Sequence, residues 1–459
     1  MSGVVVLGAG PAGLLAALEA RERGHDVTLL EAAPVVGGMA GSFEFAGHRV
    51  DHGSHRLHPA VDPRVMQRIS ELLRGDLQRR ERNGRIRLRD RWVGFPLRMA
   101  DMARSLPPGF VLRVARDSLS GPLRRPRGET FAAAIEQRLG PTVLREFYGP
   151  YVRKLYGEPA DRLHRELADR RVAASSLRDV AVRMIGAARS DGRTFYAPRR
   201  GYGQITEALA AEAVRIGVDL RTSTPVSRVE QRSGGLRVEA GAAAGFDADV
   251  VLSSIPTPAL ARALRPGPPT LVLEALDQMR TRSMVLVYLA VATSQYTEFD
   301  AHYFPESLVG VARLSEPKNY RDGDDPVGHT VLCAEIACWR GDPVWNASDA
   351  DLAAMVVDDL GRAGLPAVEV LELASRRLSS VYPVYDLDSI TARSRVDDWA
   401  ASLERIVVFG RQGLGVPDNL HHVLSMGEAA AAALGDEATV DRRKWRASLD
   451  EFATHVVQD

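Results

Sequence analysis

The chain has 459 residues, with 59 Lys and Arg against 59 Asp and Glu, 45% hydrophobic and 26% charged residues, which excludes a fibrous, disordered or supercharged protein. Zero net charge gives no electrostatic reason to expect a nucleic-acid partner, and no run reaches the roughly 20 consecutive apolar residues of a membrane span. At about 150 residues per domain, the length allows two or more lobes.

Gly3 to Leu7 reads as a buried parallel strand, Gly8-Ala9-Gly10-Pro11-Ala12-Gly13 as a tight turn, and Leu14 to Arg23 as a helix ending at Gly24. Asp26 to Glu31 is then a second strand. In this order Gly8 makes the turn, Gly10 lets backbone approach a pyrophosphate, and Gly13 lets helix and strand pack closely. The helix N-terminus turns unpaired N–H groups and its positive dipole end toward the phosphates. Glu31 closes the second strand, where an acidic side chain accepts from a ribose 2′-OH and repels the 2′-phosphate of NADP. Dinucleotide binding is the reading.

Gly37-Gly38-Met39-Ala40-Gly41-Ser42 follows, and paired glycines let backbone lie against a cofactor where a Cβ would clash. Here the sequence resembles the FAD-dependent amine oxidase and protoporphyrinogen oxidase-like flavoproteins, on the branch near the UDP-galactopyranose mutase-like proteins. The resemblance implies FAD as cofactor, with Gly8, Gly10, Pro11, Ala12, Gly13, Glu31, Gly37, Gly38 and Met39 against it. Many members carry Arg where this chain has Met39, so one polar contact is expected to be missing.

Asp51-His52-Gly53-Ser54-His55-Arg56-Leu57-His58 resembles the family segment that reaches the flavin ring, implying Gly53, Ser54 and His55 at the flavin. An imidazole there can exchange a proton near neutral pH, so His55 is a catalytic candidate. Three histidines in seven residues lack the carboxylate or cysteine spacing of a metal centre, and no metal is expected. Asp62 to Leu73 reads as a helix, and residues 84–93 as a hairpin. Met99 to Arg127 mixes apolar stretches with basic residues. It suits a surface helical pair at the mouth of a site, or alternatively a monotopic membrane dock.

Phe147-Tyr148-Gly149-Pro150-Tyr151-Val152-Arg153-Lys154-Leu155-Tyr156-Gly157 resembles the F-x-x-P-Y-x-x-K-x-W/Y-G segment of the mutase-like branch, which puts Tyr151 forward as a substrate-packing residue. Pro198 to Gly203 resembles the Y-P-R-x-G-x-G segment, and by the same resemblance the backbone of Val226 contacts the adenine. Asp249 to Ser254 reads as a further buried strand, and Met284 to Val291, Leu308 to Arg313 and Thr330 to Cys338 as strands of a mixed sheet. Lysine occurs only at positions 154, 318 and 444, so Lys318 is the candidate for the lysine that amine oxidases place by the flavin. Cys333 and Cys338, on opposite faces of a strand, read as packed thiols of a reducing, cytoplasmic compartment. Asp349 to Ala363 is an amphipathic helix capped by Ser348.

Arg405 to Phe409 reads as a strand and Gly410-Arg411-Gln412-Gly413 as a turn, followed by a helix that starts near Asn419. The segment resembles the family's G-R-x-G…D-N-x-x-H-S…G, implying Gly410, Arg411, Asn419 and His422 at the cofactor, although Val423 stands where the family has Ser. The expected fold is α/β: a Rossmann-type FAD-binding domain (1–75, 185–270 and 395–459) interleaved with a substrate domain of mixed β-sheet and helices (76–184 and 271–394). The expected function is an oxidase or desaturase in which flavin N5 accepts a hydride from a small organic substrate. The alternative is a redox-neutral sugar isomerase that uses reduced flavin N5 as nucleophile.

Overall fold

The strand Gly3–Leu7 is the centre from which the fold is built. It pairs in parallel with Asp26–Leu30 on one side and Val250–Ser253 on the other, and Asp219–Arg221 and Ile406–Val408 complete a five-stranded parallel sheet. Val4 and Val6 face one core while Val5 and Leu7 face another, which is why these strands read as continuous aliphatic runs rather than alternating ones. The first face is covered by the helices Pro11–Glu22, Gly203–Arg215 and Leu420–Ala432. Over the second lies an antiparallel layer, Val226–Arg232, Gly235–Ala240 and Phe246–Ala248, which Leu264–Arg265 joins in parallel. The computed structural model describes residues 3–95, 101, 104–120, 128–172, 194–242, 245–435 and 439–457.

A second, seven-stranded mixed sheet runs in the order Val370–Pro383, Thr281–Val291, Thr330–Cys338, Arg313–Ser315, Ala301–Tyr303, Gly84–Leu88, Arg91–Phe95. Its second strand, Thr281–Val291, is buried on both faces and pairs antiparallel with both neighbours. Cys338 packs into the core beneath the helix Asp349–Arg362, and Cys333 into the core on the other face beside the hairpin of Ser42–Phe45 and His48–Asp51. Both thiols are free and buried, as their spacing predicts. Ser348 caps the helix Asp349–Arg362, its Oγ accepting from the Asp351 N–H (3.1 Å). The fold is thus a Rossmann-type α/β core interleaved along the chain with a mixed-sheet and helical lobe.

Two local expectations are corrected. The predicted strand Leu308 to Arg313 begins only at Arg313, because carbonyls of the preceding segment turn away from any sheet and onto one ammonium: Lys154 Nζ donates to Glu306, Val309 and Val311 at 2.6, 2.6 and 3.2 Å, and also to Phe304. The predicted turn at Gly410 is a short helix, Gly410–Leu414. The aromatic segment starts with a π-helical turn, Leu144–Tyr148, before the helix Gly149–Tyr156 that Gly157 ends at φ +74°. Of the candidate membrane dock, the helix Pro108–Ser120 is present, while residues 99, 100, 102, 103 and 121–127 lie outside the described residues. Among the described residues no helix is long and apolar enough to cross a membrane.

Candidate active site

The turn after the first strand is shaped by steric demand. Gly8 takes φ +94°, and a Cβ on Gly13 would stand 1.9 Å from the Gly8 carbonyl oxygen. Gly10 differs: a Cβ there would meet nothing within 4 Å, so open space lies over the backbone where the helix Pro11–Glu22 starts. Pro11 has no N–H, which leaves Ala12 and Gly13 as first-turn donors, and this end of a helix attracts anions. Glu31 braces the turn, its Oε2 accepting from the Ala9 N–H (2.7 Å) and Oε1 from the Ala33 N–H (2.8 Å). An ionised carboxylate has about four lone-pair sites, so acceptor capacity for a ribose hydroxyl remains.

Distant segments converge on this turn. Gly37 donates its N–H to the Ala9 carbonyl (2.8 Å), and a Cβ on Gly38 would lie 3.6 Å from Gly10 Cα. Cβ atoms on Gly410 and Gly427 would stand 3.1 Å from Ala12 Cβ and 2.5 Å from Ala12 O. Met39 does make a polar contact, through its sulfur, which accepts from Gln412 Nε2 at 3.0 Å. Val226 opens its strand two residues after Thr224, whose N–H donates to the Glu31 carbonyl (2.8 Å).

The segment after the hairpin carries the histidines into the interior between the two sheets. Gly53 turns it at φ +107°, and the Ser54 N–H donates to Glu335 Oε1 (2.8 Å), while the Ser54 and Tyr320 hydroxyls hydrogen-bond each other. Glu335 is held by Arg313 through two bonds of 3.0 and 2.8 Å. The His55 ring stacks on Tyr202 (centroids 5.1 Å, 13°), whose N–H is fixed by Asp51 (2.8 Å). Burial, then the charges of Arg313, His52 and Arg411, push the His55 imidazole down to about 3. It is therefore neutral near pH 7, unlike the proton-exchanging group expected from its type. Its buried Nδ1 has no protein partner.

Arg411 is half-buried, and its guanidinium donates to the carbonyls of Asp418 (2.8 Å), Val381 (2.9 Å) and Pro417 (3.4 Å). Carbonyls take up its Nη donors without neutralising its charge, its Nε has no partner, and among the described residues no carboxylate forms an ion pair with it. Burial lowers its pKa. Arg171 and Arg411 lie 5.9 and 6.0 Å from the Tyr382 ring centroid, and the neighbouring Tyr156 hydroxyl is buried without a partner. Asn419 is the N-cap residue of the helix Leu420–Ala432. His422, one turn in, is pushed down to about 2 by burial and by His421, His455 and His58.

Two candidates stand apart from this cluster. Tyr151 stacks on Phe147 (5.8 Å, 19°) within the helical lobe. Lys318 Nζ donates to the carbonyls of Ser294 (2.9 Å) and Pro326 (3.4 Å), pinning a loop. The pair Arg313 and Glu335 escaped sequence reading, although a lone Glu in the otherwise apolar strand Thr330–Cys338 was a usable signal. Arg56, bound to Asp300 (2.9 Å) and Tyr303 (3.1 Å), was also missed, since nothing local marks it.

A glycine-walled cradle at a helix N-terminus, braced by an acidic residue and continuous with a buried histidine and arginine site, defines a flavoprotein of the dinucleotide-binding class. The chain belongs to the family of flavin-containing amine oxidoreductases, whose model matches residues 11–433. Among curated proteins no sequence matches it. Of solved structures, reduced UDP-galactopyranose mutase is similar over 99% of both chains at 20% identity and a TM-score of 0.81. A protoporphyrinogen oxidase-like protein from Exiguobacterium matches over 94% of this chain and 99% of its own (20% identity, TM-score 0.72). Cyclohexylamine oxidase from Brevibacterium oxydans matches over 94% and 98% (16% identity, TM-score 0.69). FAD is the family's cofactor, and the residues present fit it: open space over Gly10, glycines on three sides and the unpartnered His55 Nδ1.

Proposed function

We propose that the chain is an FAD-dependent oxidoreductase acting on a small organic substrate that carries a carboxylate or phosphate. The observation behind this reading is the half-buried Arg411 guanidinium, whose hydrogen bonds go only to carbonyls and which is close enough to His55 to depress its pKa. A cationic amine would be repelled there, by about 4 kcal/mol for two unit charges about 4 Å apart at an effective dielectric of about 20, whereas an anion gains a similar amount. Bound FAD supplies a hydride acceptor at N5. Gly10, Ala12 and Gly13 hold its diphosphate and Glu31 its ribose, while His55, neutral and stacked on Tyr202, offers Nδ1 as a hydrogen-bonding group. Tyr156 and Tyr382 line the anionic end beside Arg411 and Arg171.

The same positive site also suits a redox-neutral reading like that of the mutase, in which a sugar phosphate is the anion and the cofactor works reduced. The spacing of His55 and His58 resembles that of the mutase-like branch and favours it. The two readings part in one anaerobic experiment on the FAD-loaded protein, in which carboxylates, sugar phosphates and amines are each added to oxidised and to dithionite-reduced enzyme. Bleaching of oxidised flavin by an anionic compound supports the oxidoreductase. Turnover restricted to reduced enzyme sinks it in favour of the isomerase, and bleaching by amines alone sinks the anionic substrate class.

A further inference from the structure

Asp418, the residue before the N-cap of the helix Leu420–Ala432, and His422, four residues later, share one helix face at the start of that helix. His455 arrives from the far end of the chain, just past the helix Arg442–Phe452. One ligand atom from each of the three lies within 4.8 Å of the others. The Asp418 carboxylate Oδ2 is 2.7 Å from His455 Nδ1 and 3.9 Å from His422 Nδ1, and the rings of His422 and His455 stack at 4.2 Å. Bonds of about 2.0–2.2 Å from a tetrahedral cation place neighbouring ligand atoms roughly 3.3–3.6 Å apart, so small side-chain adjustments complete the geometry.

Hydrogen bonding alone leaves this cluster unsatisfied. Asp418 is only 1% exposed, yet its Oδ1 has no partner, and neither does His422 Nδ1 or, next to it, His421 Nδ1. Each buried orphan costs about 1–3 kcal/mol, which a cation at the centre removes for two of them at once. His421 packs beside the cluster, its ring 3.9 Å from that of His422 and 5.2 Å from that of His58. Two positive groups face the cluster among the described residues: Arg170, whose charge is balanced by Glu166 (2.9 Å), and Arg411, which acts on Asp418 and bonds its carbonyl (2.8 Å). Arg170 also fixes the tail on both sides of His455, its Nη1 donating to the Phe452 carbonyl (3.3 Å) and its own carbonyl accepting from the Val457 N–H (2.7 Å). The third ligand is therefore positioned by the fold before any ion arrives.

We propose that Asp418, His422 and His455 form a divalent-cation site of the zinc class, which latches the C-terminal segment onto the helix Leu420–Ala432. Two imidazoles and one carboxylate are a borderline-soft donor set that suits zinc over calcium or magnesium. The site does not rest on the substrate reading above; it borders the cofactor site through His422 and through the Asp418 carbonyl that holds Arg411, while His455 is none of the residues placed at FAD or substrate.

The test uses the full-length FAD-loaded protein, dialysed against chelator and titrated with zinc chloride by calorimetry, with bound zinc counted by elemental analysis and FAD by its absorbance. About one zinc per chain and a raised Tm are expected, with affinity falling about 100-fold in His455→Ala and in Asp418→Asn, and with FAD content unchanged in His455→Ala. Should His455→Ala fail to fold, Asp418→Asn and the wild-type titration still decide. No zinc uptake by the wild type, or wild-type zinc affinity retained in both variants, would show that these residues bind no ion at this place and overturn the proposal.

Discussion

At the level of single residues, the site depends on side chains that hold backbone as well as ligand. Glu31 was expected to face a ribose, and its carboxylate also grips the Ala9 and Ala33 N–H groups. Replacing it with Gln keeps one acceptor and replacing it with Ala keeps none. FAD retained through gel filtration should fall in the order wild type, Glu31→Gln, Glu31→Ala; equal retention in all three would mean that the carboxylate braces nothing the cofactor needs. Glu335 joins two functions in the same way, pairing with buried Arg313 and anchoring the Ser54 N–H. Glu335→Ala strands the guanidinium without its partner, at a cost of about 3–5 kcal/mol. Urea unfolding of the apoprotein should report a loss of that order, and a loss below about 1 kcal/mol would mean that solvent already screens the pair.

Among the elements, the decisive contact is between the helices Pro11–Glu22 and Leu420–Ala432, which cross where glycine removes a side chain. A Cβ at Gly427 would stand 2.5 Å from the Ala12 carbonyl oxygen, and backbone cannot swing aside as a flexible side chain does. Gly427→Ala is expected to destabilise by about 1–3 kcal/mol through overpacking. It should also lower FAD retention, because Ala12 belongs to the cradle. A variant with wild-type Tm and full FAD content would show that the helices separate at no cost.

Across the whole molecule, buried histidines make stability depend on acid. Burial, then the charge of Arg85, pushes His302 down to about 3, and burial takes His55 to a similar value. Unfolded, each binds a proton below about 6.5, whereas the native state binds it only near 3. The unfolded chain thus holds more protons in this window, so stability is full above about pH 6.5 and falls as pH drops toward 3. His302 lies outside the cofactor site and offers the cleaner measurement. Between pH 7 and 4.5 its share of the loss is roughly 2 kcal/mol, and His302→Gln should reduce the pH dependence of urea stability by that amount. An unchanged slope would place His302 in contact with solvent.

Local rules made much of this protein legible. Gly8 and Gly13 stand where a Cβ would clash, aliphatic runs such as Gly3–Leu7 must be covered on both faces, and Ser348 caps a helix wherever the helix lies, so the sequence by itself determined the nucleotide-binding turn and the α/β core, and its family resemblance implied FAD and the interleaving of the segments. It did not reveal that carbonyls of residues 304–311 close on Lys154, or that Arg313 and Glu335 find each other across two strands. Nor did it reveal that His455 reaches Asp418 from the end of the chain. Tertiary structure alone decided these, and with them the charge of the site. The pKa of His55 and the uncompensated charge of Arg411 depend on burial and on partners remote in sequence, which no local pattern encodes.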